Sequence, residues 1–272
     1  MVYVLLTLNS LLMIIMPLLL GIWLVHRYRV SWKLFLIGAA GFVVSQIGHI
    51  PLNQFVLDPY VAGLLEPGKT IGRILIVALL YGLSAGLFEE VTRYFFYYFR
   101  KSMRGWDEGL MFGAGWGGIE AILLGLLAAM TIINVYIYQN GLLENFMSAE
   151  QLVGSAQEIA AVTAQIEELV SSPPWMFLLG AVERVFALIV QMSLSILVLQ
   201  AFVRRNILWL FAAIGWHTLV DAVAVFGLLQ EWDPLLIETT VGLMAMIGGL
   251  LIIRYFKPGE AVQAVSESGD QP

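Results

Sequence analysis

The feature that most limits how this chain can fold is a series of long apolar runs. Each is about 20 residues or more, which is enough for a helix to cross a hydrocarbon core of roughly 30 Å. The runs are Val2 to Val25, Leu34 to Leu57, Ile71 to Phe99, Gly109 to Tyr138, Trp175 to Phe202, Leu208 to Leu229 and Leu235 to Tyr255. With 60% hydrophobic and 12% charged residues, the chain is too apolar for a soluble domain of 272 residues. The sequence therefore predicts an all-α, polytopic helical bundle of seven transmembrane helices in the cell membrane.

Basic residues in the loops predict the orientation of this bundle. The loops after the first, third and fifth runs, with the C-terminal end, contain Arg27, Arg29, Lys33, Arg100, Lys101, Arg104, Arg204, Arg205, Arg254 and Lys257. The opposite side has only Lys69 and Arg73. Because Lys and Arg favour cytoplasmic loops, the N-terminus is predicted to lie outside and the C-terminus in the cytoplasm.

One long loop and a polar tail complete the predicted organisation. The loop from Gln139 to Pro173 contains no Lys or Arg, and apolar residues recur at helical spacing after Ser148. This pattern predicts an external amphipathic helix near 148–171, either covering a site or packing on the outer end of the bundle. Residues 1–257 are predicted to form a single transmembrane domain, and 258–272 a short disordered cytoplasmic tail.

Composition also limits the possible chemistry. The chain has no cysteine, which excludes thiolate metal sites and a cysteine nucleophile. Its net charge of −6 comes from acids gathered in the long loop and the tail, while its bases lie in short loops. Nothing in that distribution predicts a nucleic-acid partner.

Two carboxylates and a guanidinium interrupt the third apolar run, at Glu89, Glu90 and Arg93. Ionisable groups at such depth cost roughly 2.5 to 3.5 kcal/mol each on insertion scales, and they indicate a functional site. On a helix, Arg93 shares a face with Glu89 at i,i+4 and with Glu90 at i,i+3. One arginine can neutralise only one of the two acids. The alternative is a salt bridge that only holds helices together.

Two other runs place polar groups at the same depth. Glu120 follows Trp116 by one helical turn in the fourth run, and His217 and Asp221 share a face in the sixth. The glycines around Trp116 favour close approach of another helix. At a rise of about 1.5 Å per residue, Glu89, Glu120 and His217 all lie roughly 14 to 17 Å from the predicted cytoplasmic boundary. The sequence therefore predicts that three helices bring these groups to one level.

The number of charges favours a chemical site over a salt bridge that only holds helices together. Four acids, Glu89, Glu90, Glu120 and Asp221, face Arg93 and one histidinium at most. Full ionisation would leave a net charge of about −2 in a low-dielectric setting, so a bound cation or shared protons must compensate.

A second imidazole would complete a metal site. His49 lies slightly deeper in the second run, beside Pro51, which should kink the helix. Together with Glu120, His217 and Asp221 it would form a ligand set for a divalent metal, of the kind that zinc hydrolases use. The alternative is that His49 makes only a structural hydrogen bond.

These motifs together resemble a known group of proteins. Glu89-Glu90-x-x-Arg93, Trp116-x-x-x-Glu120 and His217-x-x-x-Asp221 resemble the three motifs of the PrsW and CAAX-protease/bacteriocin-processing (CPBP) group of intramembrane proteases. Gln46-Ile47-x-His49 and Glu183-Arg184-Val185-Phe186-Ala187 resemble the YhfC branch of that group. The resemblance extends over the second to sixth runs.

The chain departs from this group at several positions. PrsW proteins usually have lysine at the position of Arg93 and phenylalanine at that of Trp116. CAAX proteases have a histidine in place of Glu120 and three residues between the acid pair and the arginine. The second motif is therefore PrsW-like, and the substrate rules of prenylated-protein proteases are not implied.

The resemblance implies peptide-bond hydrolysis within the membrane. Glu89 would be the general base, and Glu120 and His217 would position its water directly or through a divalent metal. Asp221 would orient His217 or act as a further ligand, and Arg93 would hold Glu90 in place. The expected partners are the lipid bilayer and a membrane protein or peptide substrate, and the oligomeric state is not indicated.

Two other functions remain open at this point. Acids and histidines within a membrane also build ion- or proton-coupled transporters. Such transporters commonly contain repeated halves, which the seven unequal runs do not show. A non-catalytic membrane scaffold that retained the protease fold is the third hypothesis.

Overall fold

The computed structural model describes residues 1–66, 68–142 and 156–258, with the backbone alone at 156–158, and none of these residues forms a strand. The α-helices are α1 (Val2–Tyr28), α2 (Trp32–Leu52), α3 (Asp58–Leu65), α4 (Ile71–Phe99), α5 (Trp106–Gln139), α6 (Ala156–Ser171), α7 (Leu179–Val203), α8 (Leu208–Leu229), α9 (Pro234–Leu243) and α10 (Leu250–Tyr255). Short π-helices occupy Asn53–Leu57 and Met244–Gly249, and 3₁₀ turns occupy Lys101–Met103 and Pro174–Leu178. The all-α prediction is confirmed.

Seven helical segments of the described chain are long and apolar enough to cross a membrane. They are Val2–Tyr28, Trp32–Leu65, Ile71–Phe99, Trp106–Gln139, Pro174–Val203, Leu208–Leu229 and Pro234–Tyr255. The predicted number of spans is therefore confirmed, and the chain is a multi-pass membrane protein. The orientation of its termini stays a prediction.

The second span is longer than its apolar run suggested. The prediction ended it at Leu57, whereas the helix continues through a π-helical segment and α3 to Leu65. Pro51 lies inside α2, and the π-helix begins two residues later at Asn53. A wider turn is one way to continue a helix after a proline has removed a donor. Asp58, the acid beyond the predicted end, accepts a hydrogen bond from Tyr81 Oη at 2.7 Å.

The described chain divides into two compact units. The first comprises Met1–Met16 and the described residues of 121–184. Its buried core contains Leu6, Val135, Ile166 and Phe177. Helix α6 belongs to this unit, and residues 148–155 of the predicted amphipathic helix lie outside the described residues. The same holds for 259–272 of the predicted tail.

The second unit contains all the residues discussed below as a candidate site. It comprises Pro17–Glu120 and the described residues from Val185 onward. Its largest fully buried side chains include Trp116, Tyr97 and Phe112, and with them Arg93. A guanidinium at the centre of an aromatic core requires buried partners, because an unpaired charge there would be very costly.

Candidate site of buried acids and histidine

Helix α4 supplies an acid pair and a guanidinium, all buried. Glu89 is 5% exposed, and Glu90 and Arg93 are 0% exposed. Arg93 Nη1 donates to both carboxylate oxygens of Glu90, at 3.1 and 2.9 Å. Its Nη2 lies 4.0 Å from Glu89 Oε2, at the limit of an ion pair. Arg93 therefore neutralises Glu90 and leaves most of the charge of Glu89 uncompensated.

Helix α8 places His217 between two carboxylates. His217 Nδ1 lies 2.8 Å from Glu90 Oε1, and Nε2 lies 3.4 Å from Asp221 Oδ2. A neutral imidazole carries one N–H and can donate to only one of these acids. With Nδ1–H donating to Glu90, Nε2 and Asp221 bring two acceptors together. A proton or a metal cation between them would satisfy both.

Glycines on α4 allow α8 to approach closely enough for this contact. A Cβ atom at Gly82 would lie 2.5 Å from the carbonyl oxygen of Thr218, and one at Gly86 would lie 3.0 Å from that of Ile214. These contacts are to backbone, which cannot rotate away as a side chain can. The two helices therefore pack with almost no side chain between them, which brings His217 to the acid pair.

This close packing gives a stability prediction. Gly82→Ala should destabilise the protein by about 1–3 kcal/mol, because the added methyl group forces the helices apart. Gly215→Ala, on α8 with open space around it, is the matched control and should change stability by about 1 kcal/mol at most. Thermal unfolding of the purified variants in one detergent measures both. Equal melting temperatures for the two variants would contradict the packing argument.

The two oxygens of Glu89 have different surroundings. Oε2 accepts hydrogen bonds from Trp116 Nε1 at 2.8 Å and from Gln191 Nε2 at 3.1 Å. Oε1 accepts one longer bond from Gln46 Nε2, at 3.3 Å. Arg93 Cζ lies over the Trp116 ring at 4.4 Å, which fixes the indole that donates to Glu89. Oε2 is thus held by two donors, and Oε1 has capacity for another partner.

Gln191 of α7 connects the acids of two other helices, and it was not predicted from the sequence. Its Nε2 donates to Glu89 Oε2 and to Glu120 Oε2, at 3.1 and 3.2 Å. Its Oε1 accepts from Arg93 Nη2 at 2.5 Å, which fixes the orientation of the amide. Glu120 therefore reaches the site through Gln191. The available signal was a glutamine within an apolar run that also contains Gln200, and neither side chain is ionisable.

His49 lies in a hydrogen-bonded chain that reaches Glu89 only through Gln46. Asn53 Nδ2 lies 3.0 Å from His49 Nε2, and since an amide nitrogen only donates, Nε2 accepts. His49 Nδ1 then donates to Gln46 Oε1 at 3.1 Å. Both ring nitrogens have protein partners, and the chain continues from Asn53 Oδ1 to Ser84 Oγ at 2.7 Å. Among the other motif residues, Glu183 and Arg184 of the first unit form an ion pair with each other.

A group of three ionisable residues in the described chain could hold a metal ion. One potential ligand atom from each of Glu89, Glu90 and His217 lies within 4.8 Å of the others, and all three residues are buried. Two carboxylates and an imidazole are a donor set that suits a divalent cation. This group shares only His217 with the predicted ligand set of Glu120, His217, Asp221 and His49.

The fold and this site together define a class of protein. The chain is a polytopic helical membrane protein whose interior holds acids and a histidine that can bind a cation. The family model described as YhfC intramembrane metalloprotease matches residues 12–238. The chain therefore belongs to the YhfC intramembrane metalloprotease family, and the resemblance to the YhfC branch is confirmed. Its wider resemblance to the PrsW and CPBP group stays a prediction.

A curated relative supports the same assignment. The chain is 33% identical over 256 residues to the Bacillus subtilis (strain 168) protein described as "Uncharacterized membrane protein YhfC". The alignment covers 92% of this chain and 95% of that protein. No solved structure matches the chain.

Proposed function

We propose that this protein hydrolyses a peptide bond of a membrane protein or peptide, within or beside the bilayer. The observation that carries the proposal is the asymmetry of Glu89. It is a buried carboxylate with one oxygen held by two donors and the other engaged by a single long hydrogen bond. A hydrolase needs a base whose position is fixed and which still has a lone pair for water. Membership of the YhfC intramembrane metalloprotease family supports this assignment.

Glu89 is the general base in this proposal. Trp116 and Gln191 fix its Oε2, so that Oε1 takes the proton of the attacking water. Gln191 also holds Glu120, and that second carboxylate orients the same water. Arg93 holds Glu90, and through Glu90 the Nδ1–H of His217. Because the guanidinium pairs with Glu90, it stabilises the Glu89 carboxylate only weakly and leaves it a strong base.

The residues also fit a divalent metal. Zinc is suitable because it binds imidazole nitrogens and carboxylate oxygens. We assign Nε2 of His217 and the carboxylate of Asp221 as its first ligands, because these two acceptors face each other at 3.4 Å. A bound metal supplies Lewis acidity for a carbonyl group or a water molecule. Glu90, on Nδ1, is the carboxylate that fixes the tautomer of a metal-binding histidine. His49 is a positioning residue that holds the side-chain amide of Gln46. It is not assigned as a ligand, since both of its ring nitrogens have hydrogen-bond partners in the protein.

Metal analysis of histidine variants tests this assignment. We expect purified protein to contain about one divalent metal ion per chain, and His217→Ala to reduce it to background, because neutral imidazole is a primary ligand in such sites. His49→Ala and His26→Ala should retain the metal, and the exposed His26 at the end of α1 is the control for a histidine outside the site. The measurement is elemental mass spectrometry. Metal-free protein with full activity would remove the metal from the proposal.

Mapping of protein ends in the membrane tests the hydrolase assignment and identifies the substrate. Membrane proteomes of cells with and without the active protein are compared, and peptide ends are mapped by mass spectrometry. The proposal predicts at least one single-span protein that is trimmed only when the active protein is present. If the peptide ends are the same with and without the active protein, and its expression is confirmed, the hydrolase assignment is contradicted.

A further inference from the structure

Two cavities of the second unit share Arg100 as a lining residue, immediately after the end of α4. The first has a volume of about 380 Å³ and a largely polar lining that includes Arg29, Ser31, Lys33, Arg100, Asp107 and Glu108. The second, of about 310 Å³, is lined by apolar and aromatic groups with one hydroxyl and the same arginine: Val44, Thr92, Phe95, Phe96, Phe99 and Arg100. A polar cavity and an apolar one therefore adjoin the same arginine.

These cavities lie where membrane spans end. The polar one is formed between the end of α1 and the start of α2, and between the end of α4 and the start of α5. The apolar one follows the last turns of α4 and the facing residue of α2. A ligand in both would have its polar part at the boundary of the membrane and its apolar part within it. That is the geometry of a lipid.

The charges of the polar cavity favour a particular headgroup. Within the described chain, the side chains of Arg29, Lys33 and Arg100 form no ion pair or hydrogen bond with the protein. Three unpaired cations can bind a phosphate, as basic pockets between transmembrane helices do. Two carboxylates, Asp107 and Glu108, line the same cavity, and Glu108 Oε2 also accepts the N–H of Gly105 at 2.5 Å. Such a lining complements a headgroup that carries both a phosphate and an ammonium group.

We propose that the two cavities together bind one phospholipid with a phosphoethanolamine headgroup. The phosphate contacts Arg29, Lys33 and Arg100, and the primary ammonium group contacts Asp107 or Glu108. One acyl chain lies in the apolar cavity against Phe95, Phe96 and Phe99. A free phosphate ion would use only the polar cavity, and the adjoining apolar cavity is the reason for assigning a lipid. The site is separate from the buried acids, so it does not depend on hydrolysis.

Two triple variants with equal charge loss test the headgroup contacts. The first is Arg29→Ala, Lys33→Ala and Arg100→Ala. The control is Lys101→Ala, Arg205→Ala and Arg254→Ala, which removes three charges at the ends of odd-numbered spans but outside both cavities. Each triple contains one residue with positive φ, Arg29 at 57° and Arg205 at 51°, so their backbone effects are matched.

The measurement is native mass spectrometry of full-length protein. The protein is purified from bilayers containing equal amounts of phosphatidylethanolamine, phosphatidylglycerol and phosphatidylcholine, and bound lipid is identified after detergent washing. Wild-type and control proteins should retain one phosphatidylethanolamine. Each basic residue strengthens lipid binding about five-fold, so the first triple should bind about a hundred-fold more weakly. Equal losses in the two triples, or preferential retention of another headgroup, would overturn the proposal.

A second pair of variants tests the acyl-chain contact. Val44→Trp should fill the apolar cavity and reduce retention of the lipid, while leaving all five charged groups in place. Val43→Trp is the control, because Val43 is similarly exposed, at 47% against 49% for Val44, and does not line the cavity. Undiminished lipid retention by Val44→Trp would show that the polar cavity binds phosphate alone, and the lipid assignment would fail.

Discussion

Glu89→Gln is expected to reduce cleavage of the single-span substrate by about 10²- to 10⁴-fold, the usual contribution of a general base. The substitution is nearly isosteric, and the new amide oxygen can still accept from Trp116 and Gln191, which contact Oε2 in the wild type. What is lost is the lone pair and the charge that take a proton from water. Appearance of the trimmed product over time, in cells or vesicles containing equal amounts of inserted protein, measures the effect.

A matched control separates this effect from a general loss of charge. Glu231→Gln changes a carboxylate of the same unit whose side chain is 84% exposed and lies 3.7 Å from Lys69, and it should leave cleavage unchanged. Metal content distinguishes two roles of Glu89. A general base can be replaced without loss of the metal, whereas replacement of an essential ligand removes it. Normal cleavage by folded Glu89→Gln protein would end the hydrolase proposal.

The membrane spans were the most predictable part of the fold. Their number follows from the length of apolar runs, since a bilayer permits few alternatives to a spanning helix. The boundary at Leu57 could not be predicted in the same way. Asp58 and Pro59 interrupt the apolar run, and only the hydrogen bond from Tyr81 shows how the acid is accommodated within a longer helix.

The candidate site was predictable where its contacts are local in sequence. The spacing of Glu90 and Arg93 on one helix was sufficient to predict their pairing. In the structure, Arg93 Nη1 lies 2.9 Å from Glu90 Oε2. Depth along each span was sufficient to predict that His217 meets the acids of α4. Contacts that depend on how a helix is rotated were not accessible. Gln191 bridges two acids because α7 faces them, and the apolar sequence around it carries no period that shows this direction.

The glycine contacts also could not be predicted, because they depend on which helices face each other. From the sequence, a small-residue surface was expected only around Trp116 of α5. The contact that brings His217 to Glu90 depends on Gly82 and Gly86 of α4, which face the backbone of α8. A glycine in a membrane helix predicts a close neighbour. It does not identify which helix that neighbour is.

Arg93→Met should be the most destabilising single substitution in the site. The side chain is wholly buried, donates to Glu90 and Gln191, and lies against Trp116. Its removal leaves Glu90, itself 0% exposed, as a buried acid beside the imidazole of His217 at 2.8 Å, with no guanidinium to neutralise it. Breaking a buried ion pair from one side costs about 3–5 kcal/mol. Thermal unfolding in detergent, with retention of helical circular dichroism as the readout, measures the loss.

A double variant tests whether the loss of stability in Arg93→Met comes from the uncompensated charge of Glu90. Adding Glu90→Gln to Arg93→Met removes the uncompensated carboxylate and keeps an acceptor for His217, so about half of the lost stability or more should return. Arg254→Met, which changes an exposed arginine of the same unit, should alter stability by about 0.5 kcal/mol or less. If the double variant is as unstable as Arg93→Met alone, the loss comes from packing against Trp116. In that case Arg93 would stabilise the protein by packing in the core, and not by neutralising Glu90.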